Sequence, residues 1–230
     1  MPPLSILNPS CESSGTGCYS AIAFYTCEVI RCAITNGVRF GNSAVARRAG
    51  LLADALRWAE LGVDFVQLRE KTLDAGELVE LARAMGDVFR EHGGTTKLLV
   101  NGRVDVAIAA GADGMHLTSS NSELTAAQVR TLLAGSGRGE AVVGVSCHTV
   151  ADVERAREAG VDLVLFGPVF EKRVRGTVVN EGVGLEVLRG ACEVAGAMSV
   201  LALGGVDEEN VTVCVEAGAA GVAGIRLFLS

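Results

Sequence analysis

The sequence predicts an α/β fold, a (βα)8 TIM barrel in a single domain. Short apolar runs alternate with stretches of helical periodicity along most of the chain. The alternation repeats for eight rounds, enough to close a parallel sheet into a barrel. A glycine punctuation recurs in Glu60-Leu61-Gly62-Val63-Asp64, Ala110-Gly111-Ala112-Asp113-Gly114, Glu158-Ala159-Gly160-Val161-Asp162 and Glu216-Ala217-Gly218-Ala219-Ala220. Each time a glycine in the left-handed region ends a helix, and the next strand is expected two residues later.

Residues 1–28 are rich in Ser, Gly and Cys, and residues 1–20 hold no Lys or Arg. They read as an N-terminal extension rather than a secretory signal, which needs a basic start. The barrel is expected over 29–230, opening with a strand at 29–35 and a helix at 42–61 stopped by Gly62. Then come a strand at 64–69, a helix at 74–90, a strand at 97–100 and a short helix at 104–110. The fourth strand is 114–117, followed by a helix at 125–133. Val142-Val143-Gly144-Val145 is a buried fifth strand, and Thr149 caps the helix at 149–160. A sixth strand at 161–168 ends in Gly167-Pro168. A helix at 185–194, a strand at 199–203, a helix at 207–216 and an eighth strand at 221–225 complete the series. Residues 227–230 are too few for a closing helix, so the extension or a partner subunit of a homo-oligomer is expected to cover that wall.

With 230 residues and 49% apolar content the chain buries a full core in one domain. A net charge of −7 argues against nucleic acid but not against phosphate ligands, which local amides and a few cations hold. Seven cysteines without a C-x-x-C pair indicate neither zinc ribbon nor disulfide framework, and read as a reducing, cytoplasmic setting. No apolar run reaches the roughly 18 residues that a membrane span needs.

Barrels place their chemistry where the strands end. Gln67, Arg69 and Lys71 follow the second strand and point one way if alternation holds, so the two cations suit an anionic ligand. A solvated cluster paired internally with Glu70 is the competing reading. Asn101 either orients a ligand or caps a helix. Ser146 and His148 end the fifth strand, and histidine is the side chain that changes charge near neutrality, as a general acid and base must. His92 reads as solvated, and His116 as either core or pore-facing. Gly204-Gly205 after the seventh strand, with Ala223-Gly224 in the eighth, offer bare backbone amides to a phosphate, aided by a helix opening at Asp207. A Cβ at Gly205 is expected to repel the phosphate while sparing the fold.

Val66-Gln67-Leu68-Arg69-Glu70-Lys71, Gly144-Val145-Ser146-Cys147-His148-Thr149, Gly167-Pro168-Val169-Phe170, Leu203-Gly204-Gly205-Val206 and Ala217-Gly218-Ala219-Ala220-Gly221-Val222-Ala223 resemble, in order and spacing, the thiamine phosphate synthase and TenI superfamily. The resemblance spans residues 29–227 and implies a TIM barrel of thiamine biosynthesis acting on phosphorylated precursors. The synthases carry Asn-Asp after the third strand and His-Leu-Gly-Gln-x-Asp after the fourth, and both Asp residues hold Mg²⁺. Asn101-Gly102 and His116-Leu117-Thr118-Ser119-Ser120-Asn121 stand there instead. The synthase Thr-x-Thr-Lys is replaced by Glu171-Lys172-Arg173-Val174-Arg175. Leu99-Val100-Asn101-Gly102-Arg103-Val104-Asp105 is similar to the TenI thiazole tautomerases.

The resemblance therefore implies a thiazole tautomerase that aromatises a thiazole phosphate carboxylate, with His148 as acid and base and no metal or cofactor. Substrate contacts would come from Gln67, Arg69, Lys71, Asn101, Ser146 and Arg175, and the phosphate from Gly204, Gly205, Ala223 and Gly224. Gln67, Lys71 and Gly167-Pro168 keep synthase wording. The alternative is thus a synthase that joins hydroxymethylpyrimidine diphosphate to thiazole phosphate, with Mg²⁺ as cofactor or with Arg173 or Arg175 supplying part of its charge. A phosphate-binding barrel without turnover is the third reading.

Overall fold

The computed structural model describes residues 29–119, 124–174 and 177–229. The expected extension at 1–28 and the expected ligand contact Arg175 lie outside the described residues. In chain order the strands and helices are β1 (Ile30–Ile34), α1 (Ala44–Glu60), β2 (Phe65–Leu68), α2 (Ala75–Glu91), β3 (Lys97–Asn101), α3 (Val104–Ala110), β4 (Gly114–Leu117) and α4 (Ala126–Gly135). β5 (Val142–Cys147), α5 (Val150–Glu158), β6 (Leu163–Phe166), β7 (Lys172–Val174), β8 (Thr177–Asn180), α6 (Leu185–Ala195), β9 (Ser199–Leu203), α7 (Val211–Glu216) and β10 (Gly221–Gly224) follow. Eight parallel strands close a barrel in the order β1-β10-β9-β6-β5-β4-β3-β2. Closure joins the two ends of the chain's fold, with Ile30 opposite Gly221 and Ala33 opposite Gly224. The expected seventh and eighth strands are β9 and β10.

Alternation along each strand sorts the core into two layers. Val66, Leu68, Val100, Met115 and Val164 face outward onto Leu51, Trp58, Leu81, Met85 and Val129 of the helices. Cys32, Phe65, Leu99, Leu163, Leu165 and Leu201 fill the barrel itself. The helices start on side chains that satisfy their first free N–H groups: Asp74 with Glu77, Thr125 with Gln128 and Thr149 with Asp152 form capping boxes.

The glycine punctuation takes the expected backbone, with φ of 63° at Gly62, 72° at Gly111, 69° at Gly160 and 101° at Gly218. The strand begins three residues after the glycine rather than two, at Phe65, Gly114, Leu163 and Gly221. The extra residue carries a brace. Asp64, Asp113 and Asp162 each accept the N–H of a residue near the start of the preceding strand, Arg31, Leu98 and Val143, at 2.8, 2.8 and 2.7 Å. Carboxylates thus pin β1 to β2, β3 to β4 and β5 to β6 at the N-terminal end of the barrel. The fourth copy has Ala220 and no brace.

Two parts differ from expectation. An antiparallel strand pair, β7 with β8, stands after β6, where no element is expected. The helix expected from Asp207 starts at Val211, because Asp207 and Asn210 hold a turn: Asp207 N–H donates to Asn210 Oδ1 at 3.0 Å, and Asp207 Oδ1 accepts from Glu209 and Asn210. Past β10 the tail packs back onto α1. Phe228 is buried, its carbonyl accepts Trp58 Nε1–H at 3.1 Å, and Arg57 donates to the Leu229 carbonyl. No helix among the described residues is long and apolar enough to cross a membrane.

Candidate active site

The C-terminal mouth of the barrel divides by chemistry. Phe65 and Leu99 point into the barrel, so Gln67 and Asn101, two residues further along, do the same. His116 on β4 and Ser146 on β5 continue that layer, their side chains 2.9 Å apart. Four neighbouring strands, β2 to β5, therefore present polar groups. Leu165, Leu203, Ala223 and Ile34 on the other four make the rest of the mouth apolar. Asn101 is not the helix cap; Arg103 holds that place on α3.

His116 is pore-facing and buried, at 1% exposure. Burial first, and the charge of Arg69 second, push its pKa down from 6.5 to about 3. The ring is therefore neutral. Nε2 meets Ser146 Oγ, and Nδ1 has no partner among the described residues. Gly144 makes room for that ring, since a Cβ there would lie 2.7 Å from Nδ1.

The competing reading of the charges after β2 does not hold among the described residues. Glu70 turns away from the mouth and is buried, with Oε1 accepting the Gly37 N–H at 2.9 Å. Arg69 and Lys71 are exposed and make no ion pair with a described residue. Arg69 thus stands without an ion-pair partner among the described residues and close enough to act on His116, while β2 ends at Leu68, so strand alternation does not extend to Lys71 in the turn that follows.

His148 sits at the expected strand end, but both ring nitrogens are engaged. Nδ1 meets the Gly167 carbonyl, which only accepts, so Nδ1 carries the proton. Nε2 meets Ser119 Oγ at 3.2 Å, and the backbone N–H donates to Asp152 at 3.0 Å. The imidazole ties together the ends of β4, β5 and β6. Cys147 beside it faces the helices, and burial first, Asp152 second, push its thiol up to about 12. It is no thiolate at neutral pH.

The glycine corner has unused donors. Gly204 and Gly205 have φ of 93° and 67°. Their loop is fixed by its carbonyls: Leu203 and Gly204 accept Val169 and Phe170 N–H at 2.8 and 2.9 Å, and Gly205 accepts Asn210 Nδ2 at 2.9 Å. Among the described residues no hydrogen bond uses the N–H of Gly204, Gly205 or Val206. Gly205, Val206, Asp207, Glu208, Arg226 and Leu227 line a cavity of about 290 Å³ beside them. Arg226 is a cation that sequence reasoning missed. Its signal is its place just past β10, beside the expected phosphate glycines. Ala223 is buried in the barrel lining, and Gly224 meets Leu227. With α7 starting at Val211, no helix N-terminus opens at Asp207 to aid this corner.

Mg²⁺, implied by resemblance for a synthase, does not fit the described donor set. It prefers carboxylate oxygens in octahedral array. Among the described residues no three His, Cys, Asp or Glu side chains come together to hold a metal. Gly102 is a turn glycine with φ of 68°, and Asn121 lies outside the described residues.

A family model described as thiamine monophosphate synthase matches residues 41–228. The chain belongs to this family, the thiamine phosphate synthase and TenI superfamily. It is similar to a Geobacter sulfurreducens protein provisionally named thiamine-phosphate synthase, with 43% identity over 169 residues, covering 74% of this chain and 75% of that protein. The thiamine-phosphate synthase of Moorella thermoacetica is 37% identical over 168 residues, 73% of this chain and 75% of that one. The solved thiamine phosphate pyrophosphorylase of Pyrococcus furiosus shares the fold, with a TM-score of 0.67 at 24% identity over 86% of each chain. These matches make the chain an enzyme of a family whose substrates are phosphorylated thiamine precursors. They also correct the expected branch. Relatives at up to 43% identity carry synthase names, and the tautomerase reading, with its isomerase class, falls. It leaned on two lost carboxylates, which report on metal binding rather than on the reaction.

Proposed function

We propose that the chain is a thiamine phosphate synthase, a transferase that joins hydroxymethylpyrimidine diphosphate to thiazole phosphate. The observation that supports this reading is a pair of features after β2 and β9 whose chemistry suits anions. Arg69 and Lys71 follow β2, and the free amides of Gly204 and Gly205 follow β9. β1 and β10 lie between them in the barrel. Joining two phosphorylated substrates calls for two such features at once.

In the reaction the thiazole ring nitrogen attacks the methylene carbon of the pyrimidine. A C–N bond forms, the C–O bond to the diphosphate breaks, and its electron pair leaves with the diphosphate. The attacking nitrogen carries no hydrogen, so this step needs no base. That suits a His148 engaged at both nitrogens and gives it a positioning part, holding three strand ends. Arg69 and Lys71 take up charge on the departing diphosphate. Gln67, Asn101 and Ser146 orient the pyrimidine by hydrogen bonds, and Gly204 and Gly205 hold the thiazole phosphate.

The test supplies both precursors and measures diphosphate release together with thiamine phosphate. Equal amounts of both products, dependent on both substrates, are expected. Absence of thiamine phosphate, with and without added Mg²⁺, would overturn the reading.

A further inference from the structure

We infer that this chain binds the diphosphate end of its ligand without a divalent metal, on Arg69 and Lys71. The inference rests on the synthase reading, and its evidence is how the charges at the mouth are used. A metal site needs carboxylates that are free to turn toward the ion. The described carboxylates flanking the strand ends are already committed. Glu70 is buried on the Gly37 N–H. Asp105 is held by Arg103 through two hydrogen bonds of 2.9 and 2.6 Å. Asp152 accepts from the N–H groups of His148 and Thr149 and pairs with Arg155.

The cations show the opposite pattern. Arg69 and Lys71 have no ion pair among the described residues, and the ring beneath Arg69, His116, is neutral. A divalent ion placed beside Arg69 would face a like charge and, among the described residues, no uncommitted carboxylate, whereas a diphosphate would meet its missing counter-charge. A guanidinium binds two phosphate oxygens in a plane, and an ammonium beside it adds a mobile point charge.

Calorimetry of the full chain with inorganic diphosphate tests this, once in excess EDTA and once in excess Mg²⁺. Binding in EDTA at least as tight as in Mg²⁺ is expected. In EDTA, Arg69→Ala should weaken it by about 10-fold, equal to ~1.4 kcal/mol. Lys71→Ala should weaken it by severalfold, and Arg69→Lys by less than Arg69→Ala. Both side chains are exposed, so thermal melts of these variants should match the parent. Diphosphate binding that appears only with Mg²⁺ overturns the inference. So does EDTA-insensitive binding that both alanine variants leave unchanged. The outcome is separable from the synthase reading: product formed only with Mg²⁺ keeps the synthase and removes the metal-free site. Tight binding in EDTA without product does the reverse.

Discussion

His116 shows what a single side chain in the mouth costs and controls. Its folded pKa is about 3 against 6.5 in its ordinary state, so between those pH values the unfolded chain binds one more proton than the folded one. Stability must therefore fall as pH drops from 6.5 toward 3, with a slope of up to ~1.4 kcal/mol per pH unit from this group. Urea titrations at several pH values in that window should show a shallower fall in His116→Gln, which keeps a polar partner for Ser146. An unchanged slope would mean that the ring titrates in the folded protein. Gly205 is the second informative residue. A Cβ there would sit 2.7 Å from Phe170 Cβ at a φ of 67°, so the expectation that the fold is spared needs correcting. Gly205→Val should weaken thiazole phosphate binding by ~10-fold or more and also lower the melting temperature, through ~1–3 kcal/mol of backbone strain.

At the scale of elements, the aspartate braces explain why the helix-to-strand joints are so regular. Asp162 fills the Val143 N–H and also pairs with Arg130 at 2.8 Å. Asp162→Ala leaves that N–H without its acceptor and should cost about 1–3 kcal/mol, read as a lower urea midpoint. Asp162→Asn should recover part of it. Element positions were readable in the sequence because each strand is a short apolar run and each helix is punctuated by glycine. The mouth was readable in part, since Gln67, Ser146, Gly204 and Gly205 lie at the ends of those runs. Three things were hidden. The direction of Glu70 depends on Gly37, a neighbour 33 residues away, and the hold on His148 comes from Gly167 and Ser119 on other strand ends. The strand pair after β6 has no periodicity over so few residues to announce it.

For the whole molecule, the tail after β10 returns to α1. Phe228 is buried against α1, and the chain's one tryptophan, Trp58, donates to its carbonyl. Phe228→Ala should cost roughly 3 kcal/mol, by analogy with other buried phenylalanines. Trp58 fluorescence would report both the loosened tail and the lower unfolding midpoint. The braces carry a consequence for motion. They fasten the barrel strands two by two, yet Ala220 leaves β9 and β10 without one, and those strands carry the glycine corner. If the braces set local opening, the amides of that pair should exchange with deuterium ahead of those in the braced pairs. A phosphate bridging Gly205 and the end of β10 would supply the fastening that Ala220 omits. Ligand occupancy would then be written in the exchange rates of β9 and β10 before any other strand.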